Sequence, residues 1–255
     1  GSIFKIITAA AGLNNGFNPS STLTGSNVIT LPDTVTELTN YANQKCNGQD
    51  AVTLQTAFAL SCNTAFVEMS EQLGADELRK YAKAFGVGEN YDLGVSTSAG
   101  TLGDLPDGAA TAQSAIGQRD VTMTALQAAV MAGTVANKGT RMQPYLVNRI
   151  TDAQMKDIRT TKPKKADQAV NEETAATLTD LMYASERSSA GYDGNGFASK
   201  TGTAEHGEGL APHVWYVAFD PERDIAVGVV VKNGGNLGES ATGGKVSGPI
   251  GRAIL

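Results

Sequence analysis

A chain of 255 residues with a formal net charge of −6 and a pI near 5.0 is a poor partner for a nucleic-acid backbone or an anionic membrane surface. It is long enough for one large domain with a substantial core, and its 41% hydrophobic and 18% charged residues are ordinary for a globular protein. No apolar run approaches the ~18 residues that a membrane-spanning helix needs.

Almost every residue from Ile3 to Leu13 is apolar, the pattern of a helix buried on all sides, and Gly12 with Asn14-Asn15-Gly16 ends it. Residues 14–50 are rich in Asn, Thr, Ser and Gly and read as irregular, with a β-prone fragment at Asn27–Leu31. Helical spacing returns over Thr53–Leu60, is interrupted by Ser61-Cys62-Asn63, and resumes over Ala65–Leu73. Gly74 is placed as the glycine after a helix end, and Asp76–Phe85 as a further short helix. The stretch 86–117, with seven glycines, reads as loop, and Thr122–Ala136 as helix. Met142–Asp157 reads as a strand pair turning near Thr151-Asp152, and the basic tract Lys162–Lys165 as a solvated loop. Asn171 is a suitable N-cap for a helix through Ala184. Three strands follow, at Phe197–Glu205, His213–Asp220 and Ile225–Lys232, the last two forming a hairpin through Pro221-Glu222-Arg223-Asp224. Gly248–Leu255 closes the chain as a helix. Helices first and clustered antiparallel strands last place the fold class as α+β.

The cysteines, Cys46 and Cys62, form neither a C-x-x-C pair nor a cluster with the two histidines, so no metal site is expected. Two buried thiols and a single disulfide both remain open at this point. Three short polar signatures stand out instead: Ser2-x-x-Lys5, Ser61-x-Asn63 and Lys200-Thr201-Gly202. Each of the first two is expected about once by chance in a chain of this composition, whereas a specified tripeptide is much rarer. Here all three occur in order, the first opening a buried helix, the second interrupting two helical pieces, the third on a strand.

The chemistry explains the residue types. One helical turn separates Ser2 from Lys5, so their side chains share a face. A serine hydroxyl is a poor nucleophile until a base takes its proton, and a lysine is such a base only when burial and a neighbouring cation destabilise its ammonium. The apolar surroundings of Lys5, the positive end of its helix and a facing Lys200 all push that way; an ordinary first-turn lysine would be misplaced against the helix dipole. Ser61 is suited to relaying protons between the lysine pair and a leaving group, and Asn63 to offering an amide to a peptide-like substrate, although alone both residues would pass for a helix break. Lys200 and Thr201 offer a cation and a hydroxyl to a carboxylate, and Gly202 leaves room where substrate lies along the strand. The backbone N–H groups of Ser2 and Thr203 are candidates for an oxyanion hole. Gly1-Ser2 has the form of a cleaved-tag remnant, but a remnant would not bring Lys5 one turn later with two partner motifs in order downstream. Two decoys compete. Tyr41-Ala42-Asn43 offers a Y-x-N in a loop-like stretch, and His206 and His213 suggest a serine triad that lacks its serine elbow.

The three motifs resemble those of the transpeptidase domain of penicillin-binding proteins, and the likeness extends over nearly the whole chain. "AIGQRDVTMTALQAAVMAGTVANKG" is similar to the family's helix leading into an ANGG-type turn, with Met142-Gln143-Pro144 after it. "KTGTAEH" and "HVWYVAFDPERDIAVGVVVKN" resemble its last three strands. The interval from Ser61 to Lys200 is long for a class A β-lactamase, and the E-x-x-L-N element that such an enzyme needs for deacylation is absent. "KTGTA" resembles the class B, monofunctional type, and Ser-Cys-Asn the actinobacterial penicillin-binding protein A group. "IGQRD" departs from the family's GQG-like turn, so Gln118 is left out of the site.

The resemblance implies an antiparallel β-sheet flanked by helices plus an all-helical lobe, here over residues 14–140, with sheet strands from 142–157 and 197–232. It implies a peptidoglycan D,D-transpeptidase needing no cofactor, acylated at Ser2 by a D-Ala-D-Ala stem peptide, resolved by an amine from a second stem, and trapped by β-lactam antibiotics. Catalytic roles fall to Ser2, Lys5, Ser61 and Lys200, and substrate binding to Asn63, Thr201, Gly202 and Thr203. A D,D-carboxypeptidase and a β-lactam sensor domain are the alternatives; Asn63 speaks against the sensor, where a valine commonly stands. Family members carry two sheet strands and a helix before the serine, so an unpaired sheet edge is expected, and the chain is expected to be part of a longer membrane-anchored, extracytoplasmic protein whose remaining module meets cell-wall synthesis or division proteins. In that oxidising compartment a Cys46–Cys62 disulfide is expected to pin the Ser61–Asn63 loop.

Overall fold

The computed structural model describes residues 1–207 and 209–255. Ser2–Phe4 make one 3-10 turn that runs straight into helix α1 (Lys5–Leu13). All but Leu13 of α1 is buried, and its small residues allow close neighbours: a Cβ on Gly12 would stand 2.6 Å from the Met69 sulfur. The following stretch holds four short strands, β1 (Thr22–Thr24), β2 (Val28–Thr30), β3 (Glu37–Thr39) and β4 (Ala51–Thr53). They pair as two antiparallel ribbons, β1 with β4 and β2 with β3. The lobe is therefore not all-helical; only the fragment around β2 was visible in a sequence whose Thr and Asn content hides three-residue strands.

Helix α2 (Leu54–Ala59) is capped by the Thr53 hydroxyl, which accepts from the Thr56 N–H, and α3 (Asn63–Ala84) follows after three residues. Gly74, at φ 74°, breaks α3 at the position expected of a helix-ending glycine. Helix α4 (Gly108–Ala115) lies inside the stretch read as loop. The Asp107 side chain caps it at 2.7 Å from the Ala110 N–H, a start signal masked by the glycines on either side. Helix α5 (Ala125–Ala136) opens with a Thr124–Gln127 capping box and packs on the sheet.

Strands β5 (Thr140–Met142), β6 (Arg149–Thr151), β7 (Asp157–Thr160) and β8 (Lys165–Gln168) correct a second expectation. The pair turning after Thr151 exists as β6 and β7, but it is a separate ribbon, and β5 pairs with β8 rather than with the central sheet. All residues of β7 and β8 are exposed, so neither has an apolar face with which to join a packed sheet. Lys165 belongs to β8, while 161–164 are loop.

Helix α6 (Glu172–Ser188) starts at Asn171, whose side chain accepts from the Thr174 N–H, and runs one turn past Ala184. The central sheet has the order β11–β10–β9, formed by β9 (Ala198–Ala204), β10 (His213–Asp220) and β11 (Ile225–Val231), antiparallel throughout. Trp215, Val217 and Phe219 of β10 enter the main core beneath the helices, while the alternate residues Tyr216 and Ala218 pack with Val227 and Leu255 on the opposite face. Helix α7 (Gly243–Ile254) covers that second face and begins five residues before Gly248. Its glycines weaken the helical signal, yet the fold requires them: a Cβ on Gly243 would run into the Trp215 carbonyl, and one on Gly251 into the Tyr216 ring. Among the described residues β11 pairs only with β10, leaving its outer edge without a strand, as expected. β9 is the other edge, and it borders Ser2.

Candidate active site

Because Ser2 and Lys5 sit three residues apart at the start of a helix, the Lys5 Nζ reaches the Ser2 Oγ at 3.1 Å. The same amine donates to the Ser61 carbonyl at 2.8 Å, the Ser61 Oγ at 3.2 Å and the Asn63 Oδ1 at 2.7 Å. Four oxygens thus surround a group that has three protons when charged and fewer when neutral. No carboxylate is among them, the side chain is fully buried, and the Phe66 ring centroid lies 5.5 Å from Nζ. Burial above all, and then the charge of Lys200, hold Lys5 well below the ordinary lysine pKa.

Ser61 owes its place to an unusual helix end. The Cys62 N–H donates to the Ala57 carbonyl at 2.9 Å and the Ser61 N–H to the Phe58 carbonyl at 3.1 Å, the pair of bonds that closes a Schellman motif after α2. The motif needs a left-handed residue where Ser61 stands, and Ser61 adopts φ 61°. Glycine normally fills that position; a serine there accepts backbone strain to present its hydroxyl to Lys5. Cys62, next in the chain, is joined to Cys46 by a disulfide with Cα atoms 5.8 Å apart, and Cys46 is tied to the Gly25 carbonyl through its N–H. The expected crosslink therefore anchors the Ser61–Asn63 loop. Asn63 opens α3 with both halves of its amide engaged, the oxygen by Lys5 and Nδ2 by the Thr39 carbonyl at 3.1 Å. In this state it braces Lys5 rather than presenting a free amide to the cleft.

Lys200, also fully buried, donates to the Thr201 carbonyl at 3.0 Å and stands 5.8 Å from the Phe58 ring centroid. Burial lowers its pKa to about 7. No hydrogen bond links it to Ser61 among the described residues; its coupling to Lys5 is through charge. Gly202 lets β9 lie directly on the Ser2 turn, since a Cβ there would be 3.1 Å from the Ile3 nitrogen and 3.3 Å from that of Ser2. The crowding comes from the protein's own backbone, not only from a bound substrate. Thr201 and Thr203 are partly exposed on the same strand, beside this contact.

The structure brings Ser2, Lys5, Ser61 and Asn63 into one hydrogen-bonded cluster and sets the Lys200–Thr203 strand beside it. It leaves both decoys outside. Tyr41 is exposed, and the Asn43 Oδ1 accepts from Asn27 at 3.0 Å. His206 and His213 stack with centroids 4.1 Å apart and are held by backbone groups, His206 donating to the Ala211 carbonyl and His213 accepting from the Asn233 N–H. Sequence reasoning did not anticipate the aromatic walls, Phe58 and Phe66. Both occupied apolar positions of helices and looked like any core residue.

Fold and site together define a protein with a hydrogen-bonded serine–lysine pair at the start of a buried helix, beside the edge strand of an antiparallel sheet. The chain belongs to the penicillin binding protein transpeptidase domain family, whose model matches residues 1–255. It is similar to the peptidoglycan D,D-transpeptidase PbpA of Mycolicibacterium smegmatis, 44% identical over 264 residues that cover all of this chain and 54% of the relative. The PbpA of Mycobacterium tuberculosis is 41% identical over the same span. A solved structure of penicillin-binding protein A from M. tuberculosis, a ceftriaxone acyl-enzyme complex, superposes with a TM-score of 0.95 at 41% identity, covering all of this chain and 59% of that one. The chain thus spans about half the length of the curated relatives it matches.

Proposed function

We propose that this chain carries the catalytic site of a peptidoglycan D,D-transpeptidase. The observation that bears most weight is a fully buried Lys5, its pKa well below the ordinary lysine value, with its Nζ 3.1 Å from the Ser2 Oγ. In its neutral form Lys5 accepts the Ser2 proton as Oγ attacks the carbonyl of the penultimate D-Ala of a stem peptide. The oxyanion that forms is met by the N–H groups of Ser2 and Thr203, a reading supported by the close approach of β9 to the Ser2 turn at Gly202. Collapse breaks the peptide bond, and the terminal D-Ala leaves with a proton delivered from Lys5 through the Ser61 hydroxyl. An amine of a second stem then attacks the Ser2 ester; Lys5 takes its proton and returns one to Oγ, and the cross-link is complete. Lys200 and Thr201 bind the carboxylate of the donor, and Lys200 keeps Lys5 short of protons until substrate neutralises it. A β-lactam follows the first half of this course, its ring amide opening to leave an ester on Ser2 that no amine can reach.

The disulfide and a peptidoglycan substrate support an extracytoplasmic location. None of the helices among the described residues is long and apolar enough to cross a membrane, so anchoring and contacts with cell-wall synthesis proteins are assigned to parts of the relatives that this chain does not span. The test is labelling with a fluorescent penicillin. Covalent labelling that disappears in Ser2→Ala is expected, and a labelled Ser2→Ala protein would sink the assignment. With a stem-peptide donor and an amine acceptor, a cross-linked product marks a transpeptidase and exclusive hydrolysis a carboxypeptidase.

A further inference from the structure

On the far side of β9 from Lys5 lies a second buried ion that the acyl-transfer scheme does not use. Glu186, in the last turn of α6, is completely buried and its carboxylate accepts four hydrogen bonds. Oε1 takes the Arg252 Nε at 2.7 Å and the Asn195 Nδ2 at 3.0 Å; Oε2 takes the Tyr216 hydroxyl at 2.9 Å and the Ser199 hydroxyl. These donors come from α7, from the loop before β9, from β10 and from β9 itself. One side chain therefore joins α6, on the main-core side of the sheet, to the elements of the opposite face.

We propose that Glu186 is a positioning residue for the reaction: through Ser199 it fixes β9, and with it Lys200, against Lys5 and Ser61. The inference rests on the acyl-transfer reading above. Its first ground is topological. β9 is an edge strand, so backbone pairing with β10 holds it on one side only, and side chains must set its position on the other. Its second ground is adjacency. Ser199 immediately precedes Lys200, pairs with Ala218 as Lys200 pairs with Val217, and points to the opposite face by strand alternation. Any slip or rotation of β9 that strains the Ser199–Glu186 bond therefore moves Lys200 in its dry pocket beside Phe58. Its third ground is chemical. A buried ion pair is often no more stabilising than apolar residues of the same shape, so a four-partner carboxylate beside the lysine strand calls for a role beyond packing. Its four donors fill the acceptor sites of a carboxylate, which specifies one geometry where an apolar contact would tolerate several. Burial raises the Glu186 pKa, but the bonds from Arg252, Ser199 and Asn195 outweigh it and keep the group ionised. Tyr216 is pushed up by burial and the Glu186 charge, so its hydroxyl stays a donor.

The decisive experiment measures the rate of acylation by a fluorescent penicillin against pH for the wild type, Ser199→Ala, Ser199→Thr and Glu186→Gln, with a melting temperature for each. Ser199→Ala removes one hydroxyl and keeps the Arg252–Glu186 pair. It is expected to fold, to acylate about ten- to a hundred-fold more slowly, and to shift the acid limb of its profile, which Lys5 sets, upward by about half a pH unit or more, because water around a displaced Lys200 screens the charge that holds the Lys5 pKa down. Ser199→Thr, which restores a hydroxyl, is expected to recover the wild-type limb, and Glu186→Gln to reproduce the shift. An unmoved limb in Ser199→Ala overturns the proposal whatever the rate, because a merely structural residue lowers the folded fraction without changing the ionisation of the active form. Failure of Ser199→Ala to fold overturns it equally. A wild type that no penicillin acylates would instead remove the catalytic reading, and this inference with it.

Discussion

Lys5 and Glu186 are both fully buried, both at the end of a helix where the dipole disfavours their charge, and both ringed by four hydrogen-bonding groups. Their states are nonetheless opposite. Around Glu186 every neighbour is a donor and one is a guanidinium, so the carboxylate keeps its charge. Around Lys5 every neighbour is a neutral oxygen and the nearest ion is another cation, so the ammonium is driven towards the neutral amine. A dry interior raises the cost of any charge; what decides whether the group stays ionised is the sign and number of its partners. The one cluster favours a neutral amine, the other a charged carboxylate.

That contrast yields its largest test in a pair of isosteric substitutions. Lys5→Met removes a base but no counter-ion, and water can reach the partly buried Ser61 and Asn63 in its place. Acylation is expected to fall by about 10²–10⁴-fold while stability changes by less than about 1 kcal/mol. Glu186→Met leaves Arg252 buried without its partner and is expected to cost about 3–5 kcal/mol. Calorimetry on both variants checks the signs; equal destabilisation would erase the distinction between the clusters.

The asymmetry also explains what the sequence made legible. Lys5 is one turn from Ser2, and Ser61 is two positions from Asn63, so chemistry left short local patterns; β10 and β11 were marked by their apolar composition and β9 by its Lys-Thr-Gly. Glu186 and its partners lie at positions 186, 195, 199, 216 and 252, with no fixed spacing to betray them. In the sequence reading Glu186 and Asn195 fall between the helix ending at Ala184 and the strand starting at Phe197, Ser199 and Tyr216 on strands, and Arg252 in the closing helix, with nothing to join them. The fold shows the same division. Helices with polar caps, such as α5 and α6, were located within a few residues, whereas α4 and the start of α7 were lost among glycines whose purpose, contact with Trp215 and Tyr216 in the case of α7, is tertiary. The ribbons of three or four residues were too short for periodicity to declare itself.

A second way to sharpen the comparison is covalent. The Glu186 cluster is held by its own opposite charges, while the Lys5 cluster has none and its loop is held by the Cys46–Cys62 bond. Replacing both cysteines by serine opens a loop of 16 residues and is expected to cost about 3 kcal/mol. Acylation should slow by more than the loss of folded protein explains, because Ser61 and Asn63 are freed at the site. Unchanged kinetics per folded molecule would show that the loop keeps its shape without the bond.

Lys200 offers a smaller effect with a definite sign. Its folded pKa is about 7 against 10.5 for an ordinary lysine, so between these values the unfolded chain binds the extra proton and stability rises with pH. The penalty of the buried charge is complete below pH 7 and is relieved as pH climbs towards 10.5. From pH 7 to 9 the wild type is expected to gain roughly 2–3 kcal/mol relative to Lys200→Met, in which this dependence is absent. Denaturant titrations at the two pH values measure the difference, and parallel curves for the two proteins would show that Lys200 keeps its proton when folded. Glu186 behaves in the opposite sense: its folded pKa is lowered, so its contribution is present at neutral pH and is lost as acid protonates it.

The smallest effect isolates the strain at Ser61. With φ at 61°, Ser61→Gly removes a disfavoured backbone conformation and is expected to stabilise the fold by about 1 kcal/mol, less whatever the extra freedom of glycine contributes to the unfolded chain. Ser61→Ala keeps a Cβ in the same conformation and gains nothing. Both variants retain the carbonyl that accepts from Lys5 and both lose the hydroxyl at 3.2 Å, so acylation should fall alike in the two. A protein that becomes more stable as it becomes less active is what a serine kept in a glycine position for its hydroxyl implies. If Ser61→Gly were stabilised and acylated as fast as the wild type, the hydroxyl would have no part in the proton path, and the strain would have to be explained by something other than Lys5.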